Sequence, residues 1–216
     1  MIRAAIFDAY GTLLDVHSAM ARHAGRLGPH WQALSAEWRA KQLEYTWVRS
    51  LSGPAHHRDF SVLTDQALDW VAARHGISDP GLLADLRASY RALQAYPEVP
   101  VMLAGLGMPR AILSNGEPAM LAEGVRAAGI AGLLDDVLSV EAVGIFKPDP
   151  RVYALATARF GFEAGEMAFV SSNPWDAFGA LTAGFRVFWV NRNRLPDEYG
   201  LRGNVTELND LTGFKP

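Results

Sequence analysis

Five short apolar runs, at residues 4–7, 111–113, 137–140, 168–170 and 187–190, limit the fold of this 216-residue chain more than any other feature. Each has the length and the Val, Ile, Leu, Phe and Ala content of a strand buried on both faces. The last four are separated by stretches with helical spacing and by Gly or Pro punctuation, so the class expected is α/β, a doubly wound parallel sheet. Between Leu14 and about Tyr96 the pattern changes. Leu34, Trp38, Tyr45 and Val48 lie at helical spacing, as do Leu63, Ala67, Trp70 and Val71, and then Leu82, Leu83, Leu86, Tyr90 and Leu93. Tyr96-Pro97-Glu98-Val99-Pro100 punctuates the return to alternation. Two units are expected: an α/β core of residues 1–14 and 97–216, and a helical cap of residues 15–96. The cap follows the first strand, where it can close over the strand ends and exclude water.

Three of the runs pass directly into polar residues: the first into Asp8, the second into Ser114-Asn115, the fourth into Ser171-Ser172-Asn173. Open parallel sheets bind ligands beyond the carboxyl ends of their strands, so the three clusters mark one site. Asp8, rigidly held there, can act as a covalent nucleophile. It can equally hold a metal or cap a helix, with Thr12 as a second cap. Lys147, before a Pro-Asp-Pro turn, reads either as the cation that favours ionised Asp8 or as a surface lysine. Arg39 shares a helical stripe with Leu43 and Trp47, which on spacing alone describes a snorkelling side chain. Tyr153 reads as a helix-packing aromatic as readily as a site residue. Trp175 and Phe60 are pocket walls or core, and Pro174 stiffens the loop between Asn173 and Asp176.

Composition removes several classes. A net charge of -3 gives no reason to expect nucleic acid or an anionic membrane as partner. No apolar run approaches the roughly 20 residues of a membrane span, and the first run is short and broken by Asp8, unlike a signal peptide. With Cys 0, thiolate chemistry and disulfides are excluded, which suits a cytoplasmic protein. The histidines, at 17, 23, 30, 56, 57 and 75, all lie in the first third of the chain, away from the strand-end clusters. A Ser-His-Asp hydrolase or a dinuclear metal centre is therefore poorly supported. His56-His57 reads as an exposed loop pair.

F-D-A-Y-G-T-L at 7–13 resembles the first motif of the haloacid dehalogenase superfamily. Ile112-Leu113-Ser114-Asn115-Gly116 resembles the second, Phe146-Lys147-Pro148-Asp149-Pro150 the third, and Val170-Ser171-Ser172-Asn173-Pro174-Trp175-Asp176 the fourth. Phosphatases of that superfamily carry a second acid two residues after the first and another after the fourth strand, to donate a proton and to hold magnesium. Here Tyr10 and Ser171-Ser172 stand in those places. Asp149 or Glu117 would have to fill in for a metal site, and none is expected. These substitutions resemble the L-2-haloacid dehalogenase branch.

That resemblance implies a HAD-like, Rossmann-like core with a cap and a cofactor-independent hydrolase. Such an enzyme displaces halide from C2 of a short 2-haloalkanoate by attack of Asp8, inverting C2, and then hydrolyses the ester to a 2-hydroxy acid. Halide leaves without needing a proton, so a second carboxylate would only repel the substrate and the departing anion. The implied catalytic residues are Asp8, Thr12, Arg39, Ser114, Lys147, Tyr153, Ser171, Asn173 and Asp176. Tyr10, Arg39, Ser114, Asn115, Trp175 and Phe60 bind substrate and halide, and no metal or cofactor is involved. The partner is a small 2-haloacid, and a homodimer is implied. The alternatives are a relative acting on fluoroacetate, a magnesium-dependent phosphatase, and a binding protein that has lost turnover.

Overall fold

The computed structural model describes residues 1–216. Its core is a six-stranded parallel sheet built from β1 (Ala4–Phe7), β4 (Arg110–Ser114), β5 (Asp136–Ser139), β6 (Met167–Ser171), β7 (Arg186–Val190) and β8 (Thr206–Leu208). The spatial order is β5-β4-β1-β6-β7-β8. β1 and β6 are buried along their whole length, as continuous apolar strands between two helical layers should be. The core helices are α6 (Val99–Gly105), α7 (Pro118–Ala127), α8 (Pro150–Phe160) and α9 (Pro174–Thr182).

The topology positions the site. β1 pairs with β4 on one side and β6 on the other, and Phe7 is in register with both Ile112 and Val170. The residues just beyond that register therefore emerge at one edge of the sheet: Asp8 in the centre, Ser114-Asn115 on one flank, Ser171-Asn173 on the other. The chain runs outward from β1 through β4 to β5, then crosses back to β6, so Asp8 sits at a topological switch point.

Residues 15–96 carry α1 (Ser18–Ala21), α2 (Ala24–Leu27), α3 (Trp31–Leu51), α4 (Phe60–His75) and α5 (Pro80–Arg91). They are flanked by a two-stranded antiparallel ribbon in which β2 (Leu14–Asp15) pairs with β3 (Gln94–Ala95). No strand is expected there from the sequence, because two residues cannot show a period. β8, with the sequence Thr-Glu-Leu, is also unexpected: an exposed edge strand need not be apolar. The α4 and α5 stripes are buried much as their spacing predicts, but α3 differs. Its inward face is Leu34, Ser35, Trp38, Gln42 and Thr46, whereas Val48 is 55% exposed. No helix is long and apolar enough to cross a membrane.

Candidate active site

β1 delivers Asp8 into a loop whose turn depends on Gly11, at φ +88, a backbone conformation that residues with a Cβ rarely adopt. Asp8 is 4% exposed, and both its oxygens are engaged. Oδ1 accepts from Lys147 Nζ at 3.1 Å. Oδ2 accepts from Asn173 Nδ2 at 2.7 Å and Thr12 Oγ1 at 3.0 Å. Neither Asp8 nor Thr12 caps a helix. The Thr12 hydroxyl instead accepts the Ser172 N–H at 2.9 Å, tying the β1 loop to the β6 loop. Ser172, in the position of an acid in related phosphatases, donates to the Gly11 carbonyl at 2.7 Å.

Lys147 is buried, and its ammonium bridges Asp8 and Asp176, 2.9 Å from Asp176 Oδ2. Burial works against its charge, but the two carboxylates outweigh burial and raise its pKa. The surface-lysine alternative is excluded. Asp176 is fully buried, and Tyr153 donates to its Oδ1 at 2.8 Å. Desolvation pushes Asp176 up to about 6, against the pull of Lys147, and the charge of Asp8 adds to the rise. Desolvation also pushes the Tyr153 phenol well up, so it donates rather than ionises. The gap between the two acids is thus filled by an ammonium. Asp149 caps α8 and pairs with Arg151, while Glu117 caps α7, so neither is available to a metal.

Asn173 is the N-cap residue of α9, yet its side chain makes no cap bond. The amide turns to Asp8 and to the Tyr10 carbonyl, at 3.1 Å. Ser171 Oγ accepts the Asn173 N–H at 3.2 Å, fixing the loop without touching Asp8. Ser114 Oγ accepts the Gly116 N–H at 3.1 Å. Asn115 uses its Oδ1 to accept the Lys147 N–H at 3.0 Å, leaving its amide donors without a protein partner. Ser114-Asn115 lies ahead of the next helix and not at its N-terminus. α7 starts at Pro118, and its first free amides, on Ala119 and Met120, are taken by Glu117.

Tyr10 points into an aromatic wall, 5.2 Å from the Phe60 ring and 5.9 Å from Tyr90. Arg39, from α3, reaches across to the Tyr10 carbonyl at 3.4 Å and to Gln42 Oε1 at 3.5 Å. Both contacts are at the long limit of a hydrogen bond, so most of its guanidinium donors stay free for an anion. Trp175 packs edge-on against Trp47 of α3 at 5.6 Å. Both line a groove of about 720 Å³ between cap and core that also includes Phe146 and Lys147. Trp175 therefore belongs to the cap–core seam, with Lys147 as its link to the acids.

Sequence reasoning misses four contributors. Gln42 and Tyr90 stand behind Arg39 and are hidden among apolar stripe positions. Gly179 in α9 lets Tyr153 approach: a Cβ there would lie 2.3 Å from the Tyr153 hydroxyl. His57, read as a loop bystander, reaches Glu141 of the core at 3.0 Å and stacks 4.9 Å from Phe146.

Residues 2–184 match the haloacid dehalogenase-like hydrolase family. The chain is 42% identical over 219 residues to (S)-2-haloacid dehalogenase 4A of Burkholderia cepacia, covering 100% of this chain and 94% of that one. Among solved structures, a dehalogenase with an intermediate complex superimposes with a TM-score of 0.94 at 42% identity, covering 98% of this chain and 94% of that one. The L-2-haloacid dehalogenase of Xanthobacter autotrophicus with chloropropionic acid covalently bound gives 0.88 at 35% identity, covering 98% and 96%.

Proposed function

The chain belongs to the haloacid dehalogenase-like hydrolase family, and from that premise we propose that it is an (S)-2-haloacid dehalogenase, hydrolysing short 2-haloalkanoic acids to 2-hydroxy acids through an ester on Asp8. The observation that carries this reading is a single strand-end carboxylate held by Lys147, Thr12 and Asn173, with aromatic Tyr10 where a second acid would stand.

In the first half-reaction an Asp8 oxygen attacks C2 opposite the halogen. The C2–O bond forms as the carbon–halogen bond breaks, the halide leaves with the bonding pair, and C2 inverts. Oδ1, with one donor, keeps the freer lone pairs for this attack. Arg39, Asn115 and Trp175 receive the halide. Ser114 receives the substrate carboxylate, and Tyr10 and Phe60 wall the alkyl part.

In the second half-reaction water attacks the Asp8 carbonyl carbon. Oδ2 is then the ester carbonyl oxygen, and Thr12 and Asn173 already donate to it, as preorganised stabilisation of the developing negative charge requires. Asp176, oriented by Lys147 and Tyr153, accepts a proton from the water. Asp176 returns its proton to the departing hydroxy-acid oxygen, the second water proton passes to solvent, and Asp8 is restored as a carboxylate carrying one oxygen from water. Ser171 keeps Asn173 in place throughout.

The test is halide release from each enantiomer of 2-chloropropionate, with chelator present. The expected result is release from the (S) form, giving (R)-lactate, and none from Asp8→Asn. Metal-dependent turnover, or full activity in Asp8→Asn once deamidation is excluded, would sink the reading. A homodimer in the cytoplasm fits the same reading. Val48 and Leu51, 55% and 88% exposed on α3, support the dimer, and a monomeric sedimentation coefficient would count against it.

A further inference from the structure

Gln42 is an amide with no access to solvent, one helical turn after Arg39 on α3. Its Oε1 accepts from the Tyr90 hydroxyl at 2.9 Å and from Arg39 Nη1 at 3.5 Å, and its Nε2 donates to Thr64 Oγ1 at 3.4 Å. Around this amide the surface is aromatic: Tyr90 lies 4.9 Å from Trp38 and 5.9 Å from Tyr10. Burying an amide on one good hydrogen bond and two long ones costs stability that a leucine or methionine of similar volume would not. Packing therefore does not explain Gln42.

What the amide supplies is an acceptor at i+3 from Arg39, on the same helix face. The guanidinium is planar and carries its donors in a fixed fork, so two contacts define its plane. One comes from the cap, at Gln42, and the other from the core, at the Tyr10 carbonyl. The Tyr90 hydroxyl donates to Oε1 and so keeps the amide oxygen, not its NH2, on the arginine side. A neutral acceptor orients Arg39 without cancelling its charge. A carboxylate at 42 would compete with the halide.

We propose that Gln42 and Tyr90 are positioning residues that set the plane of Arg39 for the departing halide. The inference rests on the reading of Arg39 as a halide ligand. Its effect should grow with the help the leaving group needs, so chloride substrates depend on it more than bromide substrates.

The test is steady-state kinetics of Gln42→Leu and Tyr90→Phe on 2-chloro- and 2-bromopropionate, alone and combined with Arg39→Lys. Each single variant should lose about tenfold in kcat on the chloride substrate and about threefold or less on the bromide, with KM within about twofold. On the Arg39→Lys background the same substitutions should cost less than about twofold, because the group they orient is gone. Should Gln42→Leu fail to fold, Tyr90→Phe, which deletes one hydroxyl, carries the same cycle. Equal losses with both halides, or a full loss repeated on Arg39→Lys, would overturn the inference while leaving the Arg39 reading intact. Unchanged turnover of both substrates in Arg39→Lys itself would overturn that reading and this inference together.

Discussion

Burial, opposed by Lys147, sets the working pH of Asp176, and the Tyr153 hydrogen bond adjusts it. Burial pushes the Asp176 carboxyl up to about 6, while the Tyr153 hydroxyl, donating to Oδ1, favours the ionised form. Below about 6 the group is protonated and cannot take a proton from water, so kcat should fall as pH drops through that region. Tyr153→Phe removes a donor that stabilises the carboxylate, so the acid limb of the kcat–pH profile should move to higher pH. A limb that stays in place or moves down would contradict this. Thr12 teaches a related lesson. As a cap it would be dispensable, but as the shared partner of Asp8 and the Ser172 N–H it joins two strand-end loops.

At the scale of elements, α9 is built around the approach of Tyr153. Gly179→Ala should improve helix propensity by about 1 kcal/mol. The new Cβ, however, would meet the Tyr153 hydroxyl at 2.3 Å and Pro148 Cβ at 2.7 Å. Overpacking of this kind costs about 1–3 kcal/mol, so thermal denaturation should show net destabilisation, and kcat should fall as Tyr153 is displaced from Asp176. Equal or greater stability with full activity would refute that account. The five apolar strands are legible because continuous apolar runs between punctuation have few other uses. β8 is not, since an exposed edge strand needs no apolar residues. Likewise, a search for apolar residues at helical spacing finds Leu34 and Trp38 but passes over Gln42 and Thr46, which share their buried face. The motif residues could be read from type and order along the chain. Gly179 and Gln42 could not, because their roles exist only once two helices meet.

For the whole molecule, the question is how the cap stays on the core. Among the contacts that cross the seam are Arg39 to the Tyr10 carbonyl, Ser50 Oγ accepting the Phe146 N–H at 3.2 Å, Tyr10 against Phe60 and Tyr90, Trp47 against Trp175, and His57 with Glu141. The last is a partly buried pair and contributes on the order of 1 kcal/mol. Glu141→Ala should therefore leave kcat at saturating substrate within about twofold while speeding amide exchange across residues 53–58, a local opening below global unfolding. Unchanged exchange there would show that the pair does not hold the cap.

The central claim is that Asp8 itself becomes esterified and that water attacks its carbonyl carbon. It is tested by a single turnover with enzyme in excess over (S)-2-chloropropionate in water enriched in oxygen-18. Peptide mass spectrometry should find one heavy oxygen in the Asp8 carboxylate and none in the lactate hydroxyl. Label in the lactate with none at Asp8 would mean that water attacks C2 directly, and the account would be wrong.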